Sequence, residues 1–116
     1  MDLEQITRDI FRIPILEPDD VTALIESQIF TVINLGNKGI GIQLQKQDTF
    51  PVCDEIVPIS LNLNSNKFEL RGRIVHVSPH DSGYYLCGIE LIDMTQDCIY
   101  TVNEYIKNHR SNMFIE

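Results

Sequence analysis

Hydrophobic and polar residues alternate along most of the chain after residue 20, which is the pattern of β-strands that bury one face. The clearest case is a stretch in which Ile40, Ile42 and Leu44 are separated by a glycine and a glutamine. Similar alternation, with β-branched and aromatic residues, predicts further strands over residues 21–26, 29–33, 56–63, 68–74 and 84–92. This pattern predicts an all-β fold, a six-stranded antiparallel β-barrel that is closed or nearly closed.

Glycine, asparagine and serine mark the connections between these strands. Residues 34–39, with the sequence NLGNKG, are predicted to form a turn because asparagine and glycine tolerate positive φ angles. Residues 64–66 are predicted to form a second turn, and residues 79–83 a loop.

The strand over residues 68–74 is predicted to carry charge on its outer face, where Glu69, Arg71 and Arg73 share one parity. Gly72 is a candidate for a bend or bulge in this strand. His76 shares the parity of the apolar residues, so we expect a core or rim histidine.

The spacing changes after Asp93, where apolar residues begin to recur at helical intervals. The predicted stripe consists of Met94, Cys98, Val102, Tyr105 and Ile106. Asp93 and Gln96 resemble a capping box, and the pattern predicts one C-terminal α-helix of about 12–15 residues that covers an end or side of the barrel. Lys107, His109 and Arg110 are interpreted as complementing the negative end of the helix dipole.

Residues 1–20 differ from the rest of the chain. They combine acidic residues with Pro14 and Pro18, which disfavour regular pairing, so we predict an irregular N-terminal arm. The predicted organisation is therefore a flexible arm over residues 1–20, followed by a barrel with its helix over residues 21–116.

Composition narrows the range of partners, locations and cofactors to expect. The chain has 116 residues and a formal net charge of −8, which disfavours DNA or RNA as a general partner. No apolar run has the ~20 residues that span a bilayer, and the first residues do not resemble a secretory signal, so we expect a cytoplasmic protein without membrane insertion. The three cysteines form no CxxC pair, and we expect neither a disulfide framework nor a metal or other cofactor.

Two short segments carry candidate chemistry. Arg8 and Arg12 have RxxxR spacing, and two guanidinium groups in one arm have donors that match phosphate oxygens or a guanine edge. In residues 34–39, Asn34 can donate and accept hydrogen bonds, and backbone amides of such a turn can converge on an anion. Taken alone, the second segment is also explained as a hairpin turn without a ligand.

In this order, the two segments resemble the signature of the PilZ domain family, RxxxR followed by [D/N]xSxxG. The resemblance spans most of the chain and implies the family's barrel with a terminal helix. It also implies binding of cyclic diguanylate (c-di-GMP), with Arg8 and Arg12 gripping guanine and phosphate and Asn34 reading a guanine edge. Gly39 matches the closing glycine of the signature.

One position departs from the signature, because Gly36 stands where the family has serine. The missing hydroxyl group costs a hydrogen bond of about 1 kcal/mol, or about fivefold in affinity. The candidate ligand-binding residues are Arg8, Arg12, Asn34, Gly36 and Gly39. The resemblance further implies a signalling role in which the ligand orders the arm and alters the surface seen by an effector protein that the sequence does not identify.

Three alternatives remain at the level of sequence. A PilZ-fold adaptor that does not bind nucleotide is the nearest, favoured by Gly36 and the acidic surface and disfavoured by the intact pair of Arg8 and Arg12. An enzyme using His76, His80, Asp81 and the cysteines is disfavoured because no catalytic or metal-binding motif is present. A nucleic-acid-binding barrel is disfavoured by the net negative charge and the scarcity of aromatic residues.

Overall fold

Seven β-strands and one α-helix are found in the part of the chain that the computed structural model describes, residues 13–15, 20–45, 52–80 and 83–114. The strands are β1 (Ile13–Pro14), β2 (Val21–Ile25), β3 (Gln28–Leu35), β4 (Gly39–Leu44), β5 (Ile56–Leu63), β6 (Asn66–Pro79) and β7 (Tyr85–Ile92). The helix, α1, is Gln96–Phe114.

Strands β2 to β7 form a closed antiparallel barrel in the order β3-β2-β5-β6-β7-β4. The barrel closes where β4 pairs back with β3, with Ile42 opposite Val32 and Ile40 opposite Leu35. The predicted six-stranded barrel with one C-terminal helix is thereby confirmed. Closure leaves few exposed strand edges, which is how small antiparallel folds avoid edge-to-edge association.

Two of the hairpins use turns in which both central residues have positive φ. These residues are Glu26 and Ser27 between β2 and β3, and Asn64 and Ser65 between β5 and β6. This geometry is the type I′ turn, whose twist matches that of the flanking strands.

The connection between β3 and β4 is shorter than predicted. Asn34 belongs to β3 and Gly39 to β4, so only residues 36–38 lie outside the strands. None of residues 34–39, all of which the structure describes, has a positive φ, so the reason given for this turn was wrong. The Gly36 N–H donates to the Gly39 carbonyl oxygen at 2.8 Å, and this hydrogen bond closes the turn instead.

The predicted irregular arm contains a short strand. In β1, Ile13 lies opposite Leu35 and Pro14 opposite Asn34, and the Ile15 N–H donates to the Ile33 carbonyl oxygen at 3.0 Å. Pro14 is compatible with pairing because β1 is an edge strand, where a missing N–H group costs little. The chain therefore enters the sheet beside the C-terminal end of β3.

The core is built from the inward residues of the strands and from the predicted stripe on α1. The buried helix residues are Cys98, Val102, Tyr105 and Ile106, with Met94 packed against them, which confirms the stripe. The Tyr105 hydroxyl group donates to Asp20 Oδ2 at 3.4 Å, linking α1 to the start of β2.

The helix ends differ from the prediction. The N-cap is Thr95, whose Oγ1 accepts from the Cys98 N–H at 3.2 Å, whereas Asp93 has a positive φ and accepts a hydrogen bond from Arg71. The helix is 19 residues long, longer than the predicted 12–15, and its last turn contains no basic residue. The predictions of Asp93 as the cap and of Lys107, His109 and Arg110 at the helix end were therefore wrong.

The bulge in β6 lies after Gly72. Gly72 is in regular register opposite Leu91 and faces the core, whereas the register with β7 shifts between Ile74 and His76. Val75 is the extra residue and is 51% exposed. Beyond it, His76 lies opposite Gly88 and is exposed, so its predicted core or rim position was wrong.

Candidate functional site

One row of residues crosses the outer surface of four neighbouring strands. Asn34 of β3 lies opposite Gly41 of β4, Gly41 lies opposite Gly88 of β7, and Gly88 lies opposite His76 of β6. The row faces outward because the neighbouring positions, such as Ile89, point into the core. Across these four adjacent strands of the sheet, the row therefore consists of two glycines with the Asn34 amide at one end and the His76 imidazole at the other.

Each glycine makes room for the side chain beside it. A Cβ atom on Gly41 would lie 2.7 Å from Asn34 Oδ1, and one on Gly88 would lie 2.5 Å from His76 Cε1. Both distances are shorter than non-bonded carbon contacts allow. The Asn34 amide and the His76 ring therefore lie low over the sheet, and Gly41 and Gly88 are buried beneath them.

A third glycine widens this surface. Gly39 lies opposite Glu90, and Glu90 lies opposite Arg73, whose Nη1 is 3.8 Å from Glu90 Oε1. We call the outward surface formed by Asn34, Gly39, Gly41, His76 and Gly88 the glycine face.

The turn next to the glycine face is fixed on both sides. The hydrogen bond from Gly36 to Gly39 closes it, and the Lys38 carbonyl oxygen accepts from the Leu91 N–H at 2.8 Å. The side chain of Lys38 is exposed and places a positive charge beside the face. Because the backbone here is held by both β4 and β7, the position of Asn34 relative to Gly39 is set by the sheet.

A family model described as PilZ domain matches residues 6–107. The chain belongs to the PilZ domain family. The matched range includes both arginines of the RxxxR segment and the whole of the 34–39 segment. A search of curated proteins found no match.

Two solved structures have a similar fold. The inhibitor of motility MotI/DgrA of Bacillus subtilis has a TM-score of 0.72 at 15% sequence identity, with coverage of 83% of this chain and 48% of that chain. The PlzA protein of Borreliella burgdorferi, solved in complex with c-di-GMP, has a TM-score of 0.59 at 14% identity, with coverage of 100% and 52%. This PilZ chain thus spans about half the length of each, and the likeness is one of fold.

The structure brings together the second half of the PilZ signature. Asn34, Gly36 and Gly39 lie at the end of β3, in the turn and at the start of β4. Arg8 and Arg12, the first half, lie outside the described residues.

The contribution of Gly41, Gly88 and His76 to this surface was not predicted from the sequence. Glycines inside strands were the available signal, because such positions often mark a close approach of another group.

The remaining arginines of the barrel are paired with acids. The Arg71 Nε–H donates to Asp93 Oδ2 at 2.6 Å, and Arg73 faces Glu90. With Glu69 accepting a hydrogen bond from Ser60, the outer face of β6 is a small patch of mixed charge, as the sequence predicted.

Three of the groups weighed for catalysis, His80, Cys87 and Cys98, pack against other parts of the domain. His80 stacks on Tyr84 with ring centroids 4.8 Å apart, and Asp81 lies outside the described residues. Burial raises the pKa of the Cys87 thiol to about 11, with a smaller contribution from Cys53, and burial also raises the pKa of Cys98. These buried thiols stay protonated at neutral pH and are poor nucleophiles.

Two features are not found among the described residues. No group of three or more His, Cys, Asp or Glu residues there has the arrangement to hold a metal ion. No described helix combines the length and apolar character needed to cross a membrane.

A separate cavity of about 350 Å³ lies at one end of the barrel. It lies between the β2–β3 turn and the start of β5, and its walls include Phe30, Leu44 and Cys87. Because Leu44 and Cys87 point inward, the cavity lies on the inner side of the sheet, whereas the glycine face is on its outer side.

Proposed function

We propose that this PilZ domain is a cytoplasmic receptor for c-di-GMP that binds the ligand on the glycine face and acts by binding, not by catalysis. The observation that carries the proposal is the pairing of β1 with β3. Ile13 lies opposite Leu35 and Pro14 opposite Asn34, so the chain that follows the two arginines runs directly alongside the signature asparagine.

The proposal assigns Arg8 and Arg12 to the same ligand as Asn34. Arg12 directly precedes Ile13 in the sequence, and Ile13 lies opposite Leu35, the residue next to Asn34. Arginine side chains on this segment have the donors to bind a ligand held beside Asn34.

The chemistry of the face suits a guanine nucleotide. Asn34 has both a donor and an acceptor for a base edge, and Gly41 and Gly88 keep its amide and the His76 ring low over the sheet. Guanidinium groups bind phosphate oxygens in paired fashion, which compensates for the net charge of −8 that otherwise repels an anion. The c-di-GMP complex of the structurally similar PlzA supports this choice of ligand.

The proposed mechanism is an ordering of the arm before Ile13 by the ligand. A nucleotide held between the arginines and the glycine face fixes this segment against the barrel and changes the surface that an effector protein meets. The structurally similar MotI is an inhibitor of motility, which supports a role exerted through other proteins.

Calorimetric titration with c-di-GMP tests the proposal. The wild-type protein is expected to bind, and Asn34→Ala to lose affinity by about fivefold or more, the value of one hydrogen bond. Asn62→Ala is the matched control, because Asn62 is an outward asparagine of β5 on the far side of the barrel, opposite Thr22. Cyclic di-AMP and GTP serve as ligand controls.

A folded wild-type protein that shows no heat of binding would overturn this function. That result would favour the alternative of a PilZ-fold adaptor that does not bind nucleotide, in which Gly36 replaces the hydroxyl group of the family signature. Circular dichroism of each sample shows whether a negative result comes from a folded protein.

A further inference from the structure

His76 is placed on the outer surface by the bulge at Val75. Ile74 points into the core, and in a regular strand the residue two positions later would point inward as well. The extra residue reverses this parity and puts His76 opposite Gly88 on the glycine face. Bulges commonly re-aim a side chain next to a binding site.

The His76 ring is positioned by packing, and its polar atoms are left for another partner. A Cβ on Gly88 would lie 2.5 Å from Cε1 and 2.8 Å from Nδ1 of the ring, so any larger residue at position 88 would displace it. Within the described residues the imidazole makes no hydrogen bond and no ion pair, and His76 is exposed.

Asn34 and His76 stand at the two ends of the glycine pair. The Cβ positions of directly opposed residues are about 5 Å apart. Adding the separations of 2.7 Å at Gly41 and 2.5 Å at Gly88 puts the Asn34 amide and the His76 ring within about 11 Å of each other. The two side chains cover Gly41 and Gly88, and at this separation both can contact one guanine base.

We propose that His76 is a ligand-contacting residue that directs a ring N–H to the acceptor edge of a guanine base bound on the glycine face beside Asn34. This inference rests on the proposed function. Guanine presents two acceptors, N7 and O6, on that edge, whereas adenine presents a donor at the position of O6. His76 would therefore contribute to the choice of guanine as well as to affinity.

The first test is calorimetry with c-di-GMP on His76→Ala and His76→Gln. His76→Ala is expected to weaken binding about fivefold, the value of one hydrogen bond, and His76→Gln to recover part of the loss because its amide can donate. His80→Ala is the matched control, because His80 stacks on Tyr84 in a loop and should leave the affinity unchanged. Gly88→Ala, which displaces the ring, should add little to the loss in a His76→Ala background.

A second measurement needs no substitution at the site. The ring nitrogen resonances of His76 are expected to shift when c-di-GMP is added to the wild-type protein, while those of His80 stay in place. If wild type binds, Asn34→Ala weakens binding, and His76→Ala and the His76 resonances do not respond, this inference alone is overturned. If wild type does not bind, the proposed function itself fails.

Discussion

The side-chain amide of Asn34 lies over the α-carbon of Gly41, with Oδ1 2.7 Å from the place a Cβ atom would take. Gly41→Ala should therefore push the Asn34 amide aside and weaken c-di-GMP binding about as much as Asn34→Ala does. A modest loss of stability should accompany this change, because the half-buried Asn34 side chain has an interaction of its own that the displacement disturbs. Additive losses of affinity in the double variant would contradict the displacement of Asn34 as the cause.

Gly72 is a packing glycine of the core. A Cβ atom there would lie 2.5 Å from both Ile59 Cδ1 and Ile89 Cγ2, so Gly72→Ala should lower the free energy of unfolding by about 1–3 kcal/mol. Adding Ile59→Val removes the Cδ1 methyl and should recover part of this loss. Urea denaturation measures the effect, and a double variant less stable than the sum of the two single changes would refute it.

Alkaline pH should destabilise the fold through Cys87. Below about pH 9 the thiol is protonated in both the folded and unfolded states, so it has no effect. Between pH 9 and 11 the unfolded chain releases this proton while the folded protein keeps it, so the free energy of unfolding falls by up to about 3 kcal/mol. Cys87→Ala should show a shallower decline over this range, with the contribution of buried Cys98 remaining. Equal slopes for both proteins would exclude Cys87 as the cause.

Thiol reactivity should follow exposure. Cys53 is exposed, whereas Cys87 and Cys98 are buried. We expect iodoacetamide to modify Cys53 in the native protein at neutral pH, and the other two only after denaturation. Mass spectrometry of digested protein identifies the modified residues, and native modification of Cys98 would indicate that α1 does not pack as described.

The sequence predicts much of the architecture because alternation and helical spacing are local. Ile40, Ile42 and Leu44 face inward as their parity indicates, and the helix residues Cys98, Val102, Tyr105 and Ile106 are buried as predicted.

The sequence did not predict features that depend on pairing between strands distant in the chain. The bulge at Val75 is visible only in the register with β7, so the parity that placed His76 inward could not account for it. The row of Gly41 and Gly88 exists only because β4 pairs with β7. Pro14 forms a strand because the sheet has an edge beside Asn34, which no local pattern reveals.

The most direct test of c-di-GMP binding between the arm and the glycine face is calorimetry on Arg8→Ala, Arg12→Ala and Arg71→Ala in parallel with wild type. Arg71 is the control, because its guanidinium group is paired with Asp93 on the outer face of β6. We expect Arg8→Ala and Arg12→Ala to lower the affinity at least tenfold while Arg71→Ala matches wild type. Equal losses in all three variants would contradict a ligand held by the two arginines of the arm.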